Sequence, residues 1–221
     1  VEVIYARSMT NTQYIIGKAL GILSVFIIRN FIILLLGIGF SFLSADSAKG
    51  VGEFLLYPLL ISIPTLVFIL GLAFFLMTIL KNQAITFIIL LGYIALTIFY
   101  LNEKYYQVFD YIAYQVPMMN SRIGGFGNLQ EIVIHRGIYF LTGVGLIFFT
   151  VFKLQRLPQS KRMKSFPLFL ALLFIAAGLY LGYTFVNLKK GVIDEKKAMI
   201  ALNNTYCKHP KVTVEKCDLS L

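Results

Sequence analysis

The sequence predicts an all-α protein, a polytopic bundle of about five transmembrane helices, and three observations support this. Of the 221 residues, 58% are hydrophobic and only 14% are charged, whereas soluble domains usually carry about 25% charged residues. The charged residues lie in short segments between long apolar runs. Those runs lack the polar–apolar alternation of barrel strands, and a helix satisfies its own backbone hydrogen bonds in lipid.

A helix needs about 20 apolar residues to cross a hydrocarbon core of ~30 Å. Five runs reach or approach that length, namely residues 19–43, 54–80, 84–101, 132–152 and 166–186.

The first run contains Arg29, a charge that is costly in lipid. We expect the first turns, from about Thr10, to project from the membrane, with the membrane part beginning at Ser24. Arg29 then lies about 8 Å from that boundary, within reach of the headgroups by snorkelling. The alternative is an arginine that faces a translocation path.

The second and third runs are joined by Lys81-Asn82-Gln83, which predicts a tight helical hairpin between antiparallel neighbours. Pro58 and Pro64 in the second run each remove a backbone donor and bend the helix. In the fifth run, Gly178 and Gly182 have a spacing that permits close helix contact.

An aromatic segment precedes the fourth run. Aromatic residues mixed with polar ones favour the membrane interface, so residues 105–116 are predicted to form an interfacial or re-entrant helix. Residues 124–127 then supply a glycine-rich turn. The aromatics expected to meet lipid headgroups or a partner subunit are Tyr105, Tyr106, Phe109, Tyr111 and Tyr114.

The net charge is +10. We interpret the basic residues as loop residues that set the orientation of the protein in the membrane. Nucleic-acid binding is disfavoured, because no basic face of a soluble fold is available. With the N-terminal end inside, eight basic residues are cytoplasmic: Arg7, Lys18, Lys81, Lys153, Arg156, Lys161, Arg162 and Lys164. The short outer loops hold four: Lys49, Lys104, Arg122 and Arg136. The tail beyond residue 186 is predicted to lie outside, where its two cysteines either form a disulfide or stay as thiols.

No pattern of catalytic or metal-binding residues is found in the sequence. His135 and His209 lack metal-ligand spacing, and residues 15–19 lack the glycine and Ser/Thr of a phosphate-binding loop. The near absence of acidic residues from the runs argues against an ion-coupled carrier. We therefore expect no enzyme activity, cofactor or metal in this chain, and any transport energy to come from a partner.

The opening VEVIYARSMTNTQYIIGKALG resembles the cytoplasmic segment of type-2 ABC exporter permeases. The residues that carry this resemblance are Glu2, Arg7, Tyr14, Gly17 and Lys18. The resemblance implies that residues 1–18 dock a cytoplasmic ABC ATPase, that a second permease half or a second copy pairs with this chain, and that the membrane is the bacterial inner one.

On this interpretation, the chain is a piece of a longer protein. Residues 19–153 are part of the permease core, 154–165 a basic cytoplasmic loop, 166–186 an extra transmembrane helix and 187–221 an extracytoplasmic tail. That order resembles permeases fused to an outer domain similar to zinc aminopeptidases. The alternatives are a membrane anchor or scaffold for such a domain without transport, and an anchor for an enzyme whose catalytic part lies elsewhere.

Overall fold

The structure is a computed structural model. It describes residues 9–43, 55–101, 104–114, 116, 120–121, 125–154 and 161–207, without the side chains of residues 41, 43, 120, 121, 125, 126 and 161–164. Predictions that concern Glu2, Arg7 or the tail after Cys207 therefore lie outside the described residues.

Five long helices make up almost all of the described chain. They are α1 (Asn11–Leu43), α2 (Leu55–Leu80), α3 (Gln83–Leu101), α4 (Leu129–Lys153) and α5 (Lys161–Tyr206). Each contains a stretch long and apolar enough to cross a membrane. The prediction of an all-α integral membrane protein with five spans is confirmed.

Helix α4 lies between α2 and α5 and forms the centre of the bundle. It meets α2 where two glycines cross: a Cβ on Gly71 would lie 2.4 Å from the carbonyl oxygen of Gly143, and one on Gly143 would lie 2.7 Å from the Phe68 Cα. Only glycine permits this approach of two backbones. Van der Waals contact along the crossing fixes α2 against α4.

On its other side, α4 packs against α5 through a second pair of glycines. A Cβ on Gly145 would lie 3.2 Å from the Ala171 carbonyl oxygen, and one on Gly178 would lie 3.3 Å from that of Ile138. Gly182, by contrast, has no neighbour within 4 Å. Of the predicted glycine pair in the fifth run, Gly178 makes the close contact and Gly182 does not.

The hairpin between α2 and α3 is formed as predicted. Helix α2 ends at Leu80, and Lys81 adopts a left-handed conformation with φ of 54°, which is a common helix stop. The Asn82 side-chain oxygen then accepts hydrogen bonds from the amides of Ala84 and Ile85, at 3.0 and 3.3 Å. This N-cap starts α3 at once, so the two helices run antiparallel.

The prolines of α2 produce a π-helical turn over Pro58–Ser62. Pro64 has no amide hydrogen, so the carbonyl of Leu60 receives no i,i+4 bond. The amide of Ile63 bonds instead to the carbonyl of Pro58, five residues earlier. Such wide turns are rare inside helices.

Helix α1 begins with a capping box. The Thr10 hydroxyl accepts from the amide of Gln13 at 3.2 Å, and the Gln13 side chain accepts from the amide of Thr10 at 3.0 Å. This reciprocal pair satisfies two donors at the helix start. Ile15 and Ala19, in the next two turns, are buried against α2 and α4, so these turns of α1 belong to the packed bundle.

Arg29 lies far from the start of α1. Asn11 is level with the end of α4, because its side chain bonds to the carbonyl of Leu154. Arg29 lies 18 residues further on, or about 27 Å along the helix axis. Its side chain is exposed in the single chain, and both expectations for it, snorkelling and a translocation path, stay predictions.

Helix α5 has 46 residues and is about 69 Å long, more than twice the thickness of a hydrocarbon core. It begins inside the predicted basic loop and runs 20 residues beyond the predicted span, to Tyr206. An ion pair between Glu131 of α4 and Lys189 ties its middle to the bundle. Cys207 follows, exposed; Cys217 lies outside the described residues, so the disulfide remains untested.

Candidate functional site

Two polar regions occupy opposite ends of the bundle. At the first, called the Lys81 end, α1 and α3 begin and α2 and α4 end. At the second, called the Arg136 end, the chain between α3 and α4 folds back over α2 and α4.

The predicted coupling residues within the described chain lie at the Lys81 end. Tyr14 is half-buried and packs against the buried cluster of Ile15 and Ala19. Lys18, one turn later, is exposed, with its ammonium 5.3 Å from the centre of the Tyr14 ring, a weak cation–π contact. Gly17 is exposed with open space around it.

A long-range hydrogen bond holds the start of α1 against the end of α4. The Asn11 amide nitrogen donates to the carbonyl oxygen of Leu154 at 2.8 Å, and Asn11 is only 2% exposed. Ile15 and Ala19 then pack on Val67 of α2 and on the last turns of α4. A displacement of the first turns of α1 would therefore be transmitted to both α2 and α4.

A cavity of about 630 Å³ opens between the start of α1 and the ends of α2 and α4. We call it the basic groove. Three lysines border it, one each from α1, from the residue after α2 and from α4, and its wall is partly apolar. No acidic residue lines it within the described chain. The lining residues that matter below are Lys18, Lys81, Lys153, Ile15, Phe74 and Met77.

The predicted coupling residues and the hairpin thus meet in one place. The left-handed Lys81 and the capping Asn82 turn the chain at the rim of the groove, and Tyr14 and Lys18 form its α1 side. Sequence reasoning identified these positions one by one, but did not predict the groove that they share.

The Arg136 end is built around a buried guanidinium. Arg136 is 2% exposed and donates from Nη1 to the carbonyl of Tyr111 at 2.9 Å and from Nη2 to that of Asp110 at 2.8 Å. Thr65 of α2 donates to the same Tyr111 carbonyl at 3.0 Å. The sequence predicts Arg136 to be a charge of an outer loop. It lies instead inside α4, where it donates hydrogen bonds to backbone carbonyls.

His135 and Tyr139 complete this cluster, which we call the arginine clasp: Arg136, His135, Tyr139 and Thr65. His135 Nδ1 accepts from Arg136 Nη2 at 3.0 Å, so the ring proton lies on Nε2, which donates to the carbonyl of Gln107 at 3.0 Å. The Tyr139 hydroxyl donates to the carbonyl of Val108. His135 is fully buried.

The clasp explains why residues 105–116 do not form the predicted helix. Only Tyr105–Gln107 form a 3-10 turn, and the backbone has positive φ at Tyr105, Tyr106, Gln107 and Ala113, which breaks any right-handed helix. The segment makes isolated turns, and the carbonyls of Gln107, Val108, Asp110 and Tyr111 accept hydrogen bonds from side chains of α4. A short antiparallel pairing of Asn120–Ser121 with Gly125–Phe126 follows.

The five aromatics of this segment differ in how far they are buried. Tyr111 is 1% exposed and stacks on Tyr93 of α3, with ring centres 5.3 Å apart; its predicted contact with lipid or a partner is therefore wrong. Its burial, with the charges of Tyr93 and Asp110, raises the pKa of Tyr111 to about 12. Tyr106 is half-buried, and those that remain exposed are Tyr105, Phe109 and Tyr114.

Within the described residues, no group of three histidine, cysteine or acidic side chains is close enough to hold a metal ion. Comparisons of the chain with protein-family models, with curated proteins and with solved structures found no match.

Proposed function

We propose that this chain is the membrane-spanning permease subunit of an ATP-driven ABC exporter, coupled to a separate ATPase subunit. ATP hydrolysis is assigned to that partner, and no catalytic residue or cofactor is assigned to this chain. The observation that carries the proposal is the capped start of α1, which presents Tyr14 and Lys18 beside the basic groove.

The start of α1 has the mechanical properties that coupling requires. Its first turn is rigid, because the capping box and the Asn11–Leu154 hydrogen bond hold both its backbone and its position. Its buried side chains contact α2 and α4 directly. A partner that packs on Tyr14 and attracts Lys18 with an acidic rim would move these helices by contact alone. Glu2 and Arg7 belong to the same proposed docking segment.

The rest of α1 offers a surface for a second permease half. Beyond Leu23, its side chains are almost all uncovered in the single chain, and the exposed apolar residues include Ile28, Ile32, Leu36 and Phe40. These residues follow helical spacing and form a continuous stripe. In the proposed exporter, a homologous half or a second copy covers part of this stripe and lipid covers the remainder.

The proposed location is the bacterial inner membrane, with the Lys81 end cytoplasmic and the end of α5 outside. The support is the positive-inside rule, because the basic residues of the loop between α4 and α5 adjoin the Lys81 end. Single cysteines at Ser160 and Ala198, in a chain without Cys207 and Cys217, test it with an impermeant maleimide. Labelling of intact cells at 198 and not at 160 supports the orientation, and the reverse pattern refutes it.

The second candidate function is a membrane anchor or scaffold for an extracytoplasmic domain, which in the permease fusions that this chain resembles is similar to zinc aminopeptidases. The observation that favours it is α5, which continues as an exposed helix for about 30 Å past the predicted span. A rigid stalk of this kind holds a following domain away from the bilayer. This function needs no ATPase.

Co-purification of an ATPase separates the two functions. In the full-length protein, we expect Tyr14→Ala to reduce stimulated ATP turnover and Lys18→Glu to weaken association with the ATPase. Tyr180→Ala and Lys190→Glu, exposed positions on α5, are the matched controls. If both α1 variants keep the partner and its stimulation, the coupling role is wrong. If the native chain retains no ATPase, the scaffold function is the better explanation.

A further inference from the structure

Within the described residues, the three lysines that border the basic groove have no acidic partner. Lys18, Lys81 and Lys153 form no ion pair there, and no acidic side chain of the described chain lines the groove. The two threonine hydroxyls in the wall, Thr78 and Thr150, already donate to carbonyls of their own helices, at 2.7 and 2.9 Å. The ammonium groups are therefore the donors that the groove offers to a ligand, and they favour an anion.

Helix dipoles account for only two of these lysines. Lys81 and Lys153 stand at the C-terminal ends of α2 and α4, where a cation is favourable. Lys18 stands in the second turn of α1, at an N-terminal end, where the dipole gives a cation no support. Its contact with the Tyr14 ring is weak, and a shared anionic ligand would stabilise its ammonium beside the other two.

The position of the groove indicates which anion. Lys81 and Lys153 lie at the ends of helices long and apolar enough to span the membrane, which is the level of the lipid headgroups. Lys18, seven residues after the start of α1, borders the same groove. The wall also contains the apolar side chains of Ile15, Phe74 and Met77. The volume of about 630 Å³ lies in the ordinary range of ligand sites, about 300–1,000 Å³.

We propose that the basic groove binds one anionic phospholipid, with its phosphate among Lys18, Lys81 and Lys153 and its upper acyl chain along Ile15, Phe74 and Met77. Basic pockets between transmembrane helices bind such headgroups. The lipid would join the start of α1 to the ends of α2 and α4, adding to the hydrogen bond between Asn11 and Leu154. The proposal does not rest on the transport function, because it requires no ATPase.

The test measures lipid retained by the full chain purified in detergent. Phosphatidylglycerol and phosphatidylcholine are titrated separately, and bound lipid is counted by native mass spectrometry. The test variant is Lys81→Gln with Lys153→Gln; neither residue is a proposed coupling residue. The matched control is Lys190→Gln with Lys196→Gln, two exposed lysines of α5 whose loss changes the net charge equally.

We expect phosphatidylglycerol to be retained in preference to phosphatidylcholine. The Lys81/Lys153 variant should bind it about thirty-fold more weakly, about 2 kcal/mol at 1.4 kcal/mol per tenfold change, and the control should bind it normally. If the double variant does not fold, Lys18→Gln tests the same groove, with an expected loss of about five-fold.

Three results would overturn the proposal. Equal retention of both lipids, or equal loss in the control, would show that the groove makes no specific contact. Displacement of the lipid by excess inorganic phosphate would identify a site for free phosphate. Loss of a co-purifying protein from the Lys81/Lys153 variant, with lipid retention unchanged, would identify the groove as a protein-docking surface.

Discussion

The side chain of Asn11 donates a hydrogen bond of 2.8 Å to the carbonyl of Leu154, 143 residues later in the chain. This bond sets the first turn of α1 level with the last turn of α4, so that Tyr14 and Lys18 lie beside Lys81 and Lys153. The basic groove therefore depends on one buried amide at the start of α1.

Asn11→Ala should destabilise the bundle and loosen the start of α1. The change removes the donor to the Leu154 carbonyl, and a buried acceptor left without a donor costs about 1–3 kcal/mol. Thermal unfolding in detergent measures the loss. Asn204→Ala, on the exposed end of α5, should unfold as the native chain does; equal stability of all three proteins would contradict a structural role for Asn11.

Gly143→Ala should separate α2 from α4. The new methyl group would lie 2.7 Å from backbone atoms of Phe68, and backbone cannot move aside as a side chain can, so we expect a cost of about 1–3 kcal/mol. Gly182→Ala, which has open space, should be neutral or slightly stabilising because alanine favours the helix. The unfolding midpoints of both variants in detergent test this prediction. Equal midpoints would contradict the close crossing of α2 and α4.

Arg136→Met should release the segment between α3 and α4. Without the guanidinium, the carbonyls of Asp110 and Tyr111 each lose a donor from α4, and they keep the Ala113 amide and the Thr65 hydroxyl, respectively. We expect faster chymotrypsin cleavage at the aromatics between residues 104 and 114. Lys104→Met, an exposed residue of the same segment, is the control. Native-like protection of the Arg136 variant would mean that the clasp does not hold this segment.

The buried Tyr111 predicts a specific loss of stability at high pH. Its folded pKa, raised to about 12, exceeds the ordinary value of about 10. The folded state therefore favours the protonated phenol. This preference contributes to the stability of the folded state, fully below about pH 10, and the contribution is lost as pH rises from about 10 to about 12. Unfolding followed across this range should show a steeper loss in the native chain than in Tyr111→Phe. Tyr114→Phe should behave as the native chain, and identical slopes in all three would contradict the assignment.

Much of the fold could be predicted from local sequence. Apolar run length determines the five spans, and Lys81-Asn82-Gln83 encodes a helix stop and an N-cap within three residues. The capping box of Thr10 and Gln13 was also readable, as a Thr-x-x-Gln signature before an apolar run. It places the start of α1 at Asn11, in agreement with the helical turns expected from about Thr10.

The site itself could not be predicted in this way, because its parts are distant in sequence. Residues 105–116 have the composition of an interfacial helix, but four of their carbonyls accept hydrogen bonds from Arg136, His135 and Tyr139, about 30 residues later. The glycines that cross, Gly71 and Gly143, are likewise 72 positions apart. Only the tertiary arrangement reveals these pairs.

The central claim, that the start of α1 docks an ATPase, is most directly tested by crosslinking from α1 in cells. Gly17 and Gly37 both have open space around them, so a photoreactive side chain fits at either position. If the start of α1 docks an ATPase, we expect the side chain at position 17 to capture a protein that hydrolyses ATP after purification, and the one at position 37 not to do so. Capture of no ATP-hydrolysing protein at position 17, or equal capture at both positions, would contradict it.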